Sequence, residues 1–211
     1  LVIASLGSPA PIMETIHEYG GRVFADIASM RHAEKAVETG VDGLILLTAG
    51  AGGQTGWANP FAFVRAVREI YKGPVVLAGG VSDGVALRAA MTLGCDLAYM
   101  GTRFIATQES MAVQAYKDML VTSSLDDVIL TSAFTGLPAS KLRPSLVAAG
   151  LDPDALPERG MINVSEDINP DKRPKRWKDT WSAGHSVSGV KDVPPVAELI
   201  NRLVAEYEST A

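Results

Sequence analysis

The sequence predicts an α/β fold, and three observations carry the prediction. Short β-branched or Leu-rich runs recur at residues 1–5, 22–27, 43–48, 74–78 and 96–100. Each is followed by an amphipathic stretch of about ten residues, and glycines or N-capping residues mark the joints. Strands alternating with helices of this length imply right-handed βαβ units and a parallel sheet.

The elements follow in order. The helix at 11–19 has Pro11 in its first turn and Gly20 as its stop. The next spaces Ala33, Ala36 and Val37 as i, i+3 and i+4, and Gly40 ends it. In the third, Asn59 is the N-cap, Pro60 takes the first helical position, and Phe61, Val64 and Val67 form the expected buried stripe. Asp83 caps the fourth, which buries Leu87, Ala90 and Met91 before Gly94. After Thr107 the repeat stops. A helix at 110–120 leads to an extra strand at 126–130, and the Pro- and Gly-rich stretch 138–161 surrounds a helix at 142–149. That stretch reads as an appended helical subdomain or lid. The tail, 194–207, carries Val196, Leu199, Ile200 and Leu203 at helical spacing, a face that packs back on the repeat. The expected divisions are 1–109, 110–190 and 191–211.

The 211 residues are 47% apolar, 20% charged and 6% aromatic, the balance of a soluble α/β protein with a sizeable core. A net charge of −5 without blocks of like charge gives no field for nucleic acid. The single cysteine, Cys95, cannot form an internal disulfide, and runs such as 43–47 are too short to cross a bilayer. A reducing cytoplasm is expected. The chain opens on an apolar, strand-like run without methionine or a basic flank, so further residues are expected upstream.

Two glycine-bearing turns follow the last two strand runs, Ala78-Gly79-Gly80-Val81 and Met100-Gly101-Thr102-Arg103, and both precede a helix. A phosphate needs bare backbone N–H groups at close approach; glycine permits this and a helix start adds favourable dipole charge. In β/α barrels such a site commonly lies after strands seven and eight. Periodicity alone does not separate a barrel from an open five-stranded, doubly wound sheet.

Residues 77–105, LAGGVSDGVALRAAMTLGCDLAYMGTRFI, resemble the phosphate half of flavin-dependent and IMP-type barrels. GAGGQTG at 50–56 resembles the glycine-rich motif after the sixth strand of nitronate monooxygenases, once called 2-nitropropane dioxygenases, and of related flavin enoyl reductases. ASMRHAEKAVETGVDGLIL before it and NPFAF after it favour the nitronate monooxygenase family, as do RFIATQES, TSAFTGLPAS and WSAGHSVSGV. The resemblance implies a (β/α)₈ TIM barrel, roughly 250 residues or more, of which the C-terminal five units are visible and the N-terminal units missing. It implies FMN as cofactor, with the phosphate on Gly79, Gly80, Gly101 and Thr102. It implies that Gly52 and Gly53 let backbone approach the flavin, and that Asp26 lies near the ring, where relatives often place a lysine. The other reading of Asp26 is a cap for the helix beginning near Ser29. The implied reaction is oxidation of alkyl nitronates or related nitro compounds by O2 to a carbonyl compound and nitrite. Its partners are a small molecule and O2, without membrane or nucleic acid, and a homodimer is allowed.

Gln54 departs from the family pattern, which has there a histidine credited with removing the α-proton of a nitroalkane. Glutamine is no base, and loss of a general base costs about 10²–10⁴ in rate. A preformed nitronate needs none. His185, between Gly184 and Ser186, lies where relatives tend to have glutamine, so the two positions have exchanged residue types: either the imidazole crossed the pocket, or the base function was lost, or His185 is a solvated loop histidine and the exchange is coincidence. His17 and His32 read as helix-surface residues, Trp177 and Trp181 as a packing face, and Cys95 as buried and inert. No residue set has metal-ligand spacing. The rival readings are a flavin enoyl reductase, an IMP dehydrogenase-like barrel, which requires a loop cysteine that Cys95 does not provide, and a flavin-binding protein without catalysis.

Overall fold

The computed structural model describes residues 1–158 and 178–210. In chain order the strands are β1 (Val2–Ala4), β2 (Val23–Ile27), β3 (Gly43–Leu47), β4 (Gly53–Gln54), β5 (Val75–Ala78) and β6 (Leu97–Tyr99). All but β4 form one parallel sheet in the order β1-β2-β3-β5-β6. The helices between them are α1 (Ala10–Glu18), α2 (Met30–Thr39), α3 (Pro60–Ile70) and α4 (Gly84–Leu93). The chain divides into two compact units: Leu1–Ala49, Gly56–Met100 and Arg202–Ala211 form the first, and Gly50–Thr55 with Gly101–Asn201 the second.

In the first unit the period of two sorts the strand side chains. Val23, Ala25, Ile27, Leu44, Leu46, Val75 and Leu77 pack with helix residues including Ala33, Phe63, Val64, Val67 and Ala90. On the opposite face Phe24, Ile45, Val76 and Ala78 form a smaller cluster. Register places Ile3, Leu97 and Tyr99 on this second face. There, on the edge strands, they are exposed.

One αβ turn occurs twice. Gly40 ends α2 at φ 83° and Gly94 ends α4 at φ 113°, left-handed values that favour glycine. The next residue, Val41 or Cys95, donates back to Ala36 O or Ala90 O, and the following aspartate donates its amide to Val23 O or Val75 O. The Asp42 and Asp96 carboxylates each accept from that same valine's amide at 2.8 Å. The turn therefore caps the helix and starts the next strand together.

Caps fall where the side-chain chemistry predicts, with Ser29, Asn59 and Asp83 accepting from His32 N, Phe61 N and Ala86 N. Ser29, not Asp26, thus caps α2. Phe61 is 61% exposed, and Phe63 takes its place in the buried stripe. Pro60 sets the start of α3, and the helical turn then carries position 63 rather than 61 onto the face of Val64 and Val67.

The second unit contains β4, α5 (Thr102–Ile105), α6 (Gln114–Thr122), a 3₁₀ turn at Leu125–Asp127, β7 (Val128–Thr131), β8 (Ala139–Leu142), α7 (Arg143–Ala148) and a 3₁₀ turn at His185–Gly189. The final helix, α8 (Val196–Ser209), has residues in both units. β4, β8 and β7 make an antiparallel sheet in that order, so this region is not helical alone. α6 begins at Gln114 rather than 110, and residues 125–127 turn before β7 starts at Val128. Leu142, expected to open a helix, ends β8; Pro144 then sits in the first turn of α7. In α8, Leu199 and Leu203 are buried whereas Ile200 is 42% exposed, which narrows the expected stripe. Trp177 and residues 159–161 of the expected subdomain lie outside the described residues.

Candidate active site

The second unit interlocks its glycine-rich segment with the segment around His185. Gly50 O accepts from His185 N at 2.9 Å, and Thr102 Oγ1 accepts from Gly184 N at 2.9 Å. A Cβ on Gly184 would lie 2.5 Å from Gly50 O, one on Gly52 2.8 Å from Gly184 N, and one on Gly50 2.5 Å from the His185 ring nitrogen Nδ1. Three glycines are thus required because two backbone stretches and an imidazole occupy the space side chains would need. The room beside Gly52 is taken by Ala183 and Gly184 of this chain. Thr102 is buried, its hydroxyl already a partner of the loop. His185 is exposed and opens its 3₁₀ turn. Gly53 and Gln54 form β4 and are half-buried, Gln54 opposite Ala139 of β8.

Beneath this loop, Tyr116 stacks on Trp181 with ring centroids 4.9 Å apart, and its hydroxyl donates to Ser182 O. Burial pushes the Tyr116 phenol up to about 12, so it stays a donor at any physiological pH. Lys141, fully buried, donates to Thr180 O at 3.0 Å and Thr180 Oγ1 at 3.2 Å. Arg103, also buried, pairs with Asp192 at 2.8 Å. These contacts fix both flanks of the segment carrying Ala183, Gly184 and His185. Sequence reasoning missed Tyr116, Trp181, Lys141 and Arg103 as site supports, since their partners lie 39 to 89 positions away. The SAGHS segment was the one available signal.

In the first unit the turn after β5 holds Gly79 at φ 122° and Gly80 at φ 77°. No heavy atom lies within 4 Å of where Cβ atoms on Gly80 or on Gly101 would stand. Among the described residues, the backbone at Gly80 and at Gly101 is therefore open on the side where a Cβ would stand. Asp26 lies near the end of β2 on the face of Phe24, beside Ile45 of β3. Its Oδ1 is buried with no hydrogen-bond partner. Burial raises its pKa above the ordinary carboxylate value, and a hydrogen bond from the Ser5 side chain offsets part of the rise.

The remaining sequence candidates are structural. His17 Nε2 donates to Asp42 Oδ2 over 2.8 Å, and His32 Nδ1 accepts from Ala28 N, both on the helix surface. Cys95 is buried and burial pushes its thiol up to about 11, which removes thiolate chemistry. Among the described residues no helix is long and apolar enough to cross a membrane.

Comparison with known proteins gives a consistent assignment. A family model described as nitronate monooxygenase matches residues 1–206. A nitronate monooxygenase from Paraburkholderia phytofirmans is 27% identical over 95% of this chain and 58% of its own length. The (3aS,4S,5R,7aS)-5-hydroxy-7a-methyl-1-oxo-octahydro-1H-indene-4-carboxyl-CoA dehydrogenase of Mycobacterium tuberculosis is 32% identical over 68% of this chain and 41% of its own. Among solved structures, the nitroalkane oxidase from Streptomyces ansochromogenes superposes with a TM-score of 0.77 at 25% identity, covering 100% of this chain and 65% of that one. The five β/α units are units of a TIM barrel, as in these neighbours. The chain spans under two thirds of the length of the curated relatives it matches.

Proposed function

Because this chain belongs to the nitronate monooxygenase family, we propose that it is part of an FMN-dependent oxidoreductase that oxidises alkyl nitronates with O2 to a carbonyl compound and nitrite. The observation that carries this is the family match over residues 1–206, taken with the interlocked glycines that hold His185 in place. The residues present are compatible with a flavin: among the described residues the backbone at Gly80 and at Gly101 is open where a Cβ would stand, as close approach of a phosphate requires. In this reading Gly79, Gly80, Gly101 and Thr102 hold the phosphate, Gly52 and Gly53 carry backbone toward the ring, and Asp26 faces it. FMN, if bound, would supply the redox chemistry between the substrate and O2. The chain's own part is to bind and orient the substrate. Gln54 donates amide hydrogen bonds to a nitro group but cannot act as a base, and His185 supplies a second donor.

A second reading is favoured by the carboxyl-CoA dehydrogenase relative: a flavin enzyme acting on an acyl thioester. One assay separates them. Purified full-length protein, expected yellow and releasing FMN rather than FAD on denaturation, is given propyl-2-nitronate with O2, and separately NADH with an enoyl thioester. Nitrite release with little NADH oxidation supports the nitronate reading, and the reverse supports the second. A colourless protein that FMN cannot reconstitute defeats both.

A further inference from the structure

Within the second unit, His185 combines a fixed backbone with an open ring. Its amide donates to Gly50 O at 2.9 Å, and the preceding amide, Gly184 N, donates to Thr102 Oγ1 at 2.9 Å. The ring lies against Gly50: the heavy atoms nearest to where a Cβ would stand there are His185 Nδ1 at 2.5 Å, Cγ at 2.7 Å and Cβ at 3.1 Å. That edge of the imidazole is thus packed, and Nε2, on the far side of the ring, faces away from Gly50. The rings of His17 and His32 are engaged by Asp42 and by the Ala28 amide. His185 is exposed, and no described residue hydrogen-bonds its ring. In the two interlocked segments, 50–55 and 181–186, it is the one side chain with a basic nitrogen. Its surroundings are those the nitronate reading assigns to cofactor and substrate. Gln54 follows Gly50 by four residues, and Thr102, which holds Gly184, follows the open backbone of Gly101.

We propose that His185 Nε2 is the base that takes the α-proton of a neutral nitroalkane, an inference that rests on the nitronate reading above. In the step, the substrate's α C–H bond breaks and its electron pair passes into the nitro group, giving the nitronate. The proton forms an N–H bond on Nε2 and later leaves to water. No oxidant enters this step. The reacting tautomer carries its own proton on Nδ1, the nitrogen beside Gly50, and keeps the Nε2 lone pair for the substrate. After the transfer the new Nε2–H donates to a nitronate oxygen, the same contact that a preformed nitronate receives. A catalytic base is commonly aimed by a third side chain. Here the backbone aims it, through the bonds of Gly184 and His185 and the space that Gly50 leaves for the ring. The base that Gln54 cannot supply is thus provided from the segment interlocked with its own loop.

The test uses full-length protein carrying FMN. The first measurement is exchange of the α-protons of nitroethane into D2O under anaerobic conditions, which requires no electron transfer. The second is the ratio of nitrite formed from nitroethane to that formed from ethyl nitronate, in which any loss of flavin or of folded protein cancels. His185→Gln keeps a hydrogen-bond donor and removes the basic nitrogen. It is expected to lower both the exchange and the ratio by about 10²–10⁴. His185→Ala leaves room for a free imidazole, and added imidazole should restore part of the exchange in that variant. Unchanged exchange in His185→Gln overturns the proposal. So does an unchanged ratio with weakened FMN binding, read from flavin fluorescence, because His185 would then hold the cofactor and not the proton. Wild-type protein that forms nitrite from ethyl nitronate but exchanges no nitroethane protons above the buffer rate overturns the base assignment and leaves the nitronate reading standing. Exchange without nitrite from either substrate keeps the base assignment and defeats the nitronate reading.

Discussion

The two units are stabilised by different chemistry. In the first, Thr48 is buried among apolar residues, and Asp26 adds one buried carboxylate oxygen. In the second, Arg103, Lys117, Ser140, Lys141, Ser145 and Thr180 are all buried. The parallel sheet satisfies its own backbone, so its side chains have only to be apolar and of suitable size. The second unit is built from short elements and turns, and its backbone needs side-chain partners: Lys117 donates to Ser110 O and Gln108 O, and Lys141 to Thr180 O. One unit is specified by a pattern and the other by individual directed bonds.

The largest expected effect is in the second unit. Gly184→Ala must displace either Gly50 or His185, since its Cβ would stand 2.5 Å from Gly50 O. A misplacement on the order of 1 Å costs about 10² in rate, so turnover should fall by about that factor while circular dichroism stays near wild type. Unaltered turnover would mean that the interlock does not position the site.

Stability should separate the units next. Leu44→Ala removes a fully buried side chain from the sheet and should cost about 2–5 kcal/mol. Lys141→Met keeps the volume and removes the donor to Thr180, and should cost about 1–3 kcal/mol. Denaturant titration measures both, and a larger loss from Lys141→Met would reverse the comparison. A smaller effect, about 1 kcal/mol, is expected for Ser29→Ala and for Asn59→Ala, read as lowered melting temperatures.

The smallest concerns acid. Asp42 is held below the ordinary carboxylate value chiefly by the Val23 amide. At Asp96 burial would raise the value, but the Val75 amide and Arg68 outweigh it. A depressed folded value means stability that is present above the unfolded value of about 3.9 and is lost as pH falls through the folded one. The melting temperature should therefore drop on acidification below that value, and Asp42→Asn with Asp96→Asn should flatten the drop. Asp26 has the opposite sign, its folded value being raised. Asp26→Asn should consequently raise the melting temperature near pH 7, where the native carboxylate is ionised against burial.

What was legible follows the same division. Strand runs at 22–27, 43–48 and 74–78 coincide with β2, β3 and β5, and the glycine stops at 40 and 94 fall where the helices end. Local periodicity and a left-handed turn suffice to specify these, because their causes lie within a few residues. The carboxylate of Asp42 starting the next strand was not legible, since its partner Val23 is 19 positions back. Nor was β8, whose ASKL alternates weakly and is buried throughout, a strand only because β4 and β7 flank it. In the candidate site, the glycines of 50–53 and 184 stood out as residues that permit close approach, but not what approaches them. Tertiary structure decided that it is the backbone of each segment against the other. By itself the sequence determined the α/β repeat, the helix caps and the family, all carried by local spacing and motif. Which oxygen of Asp26 is left without a partner, and which lysines are buried on carbonyls, depend on neighbours brought together only by folding.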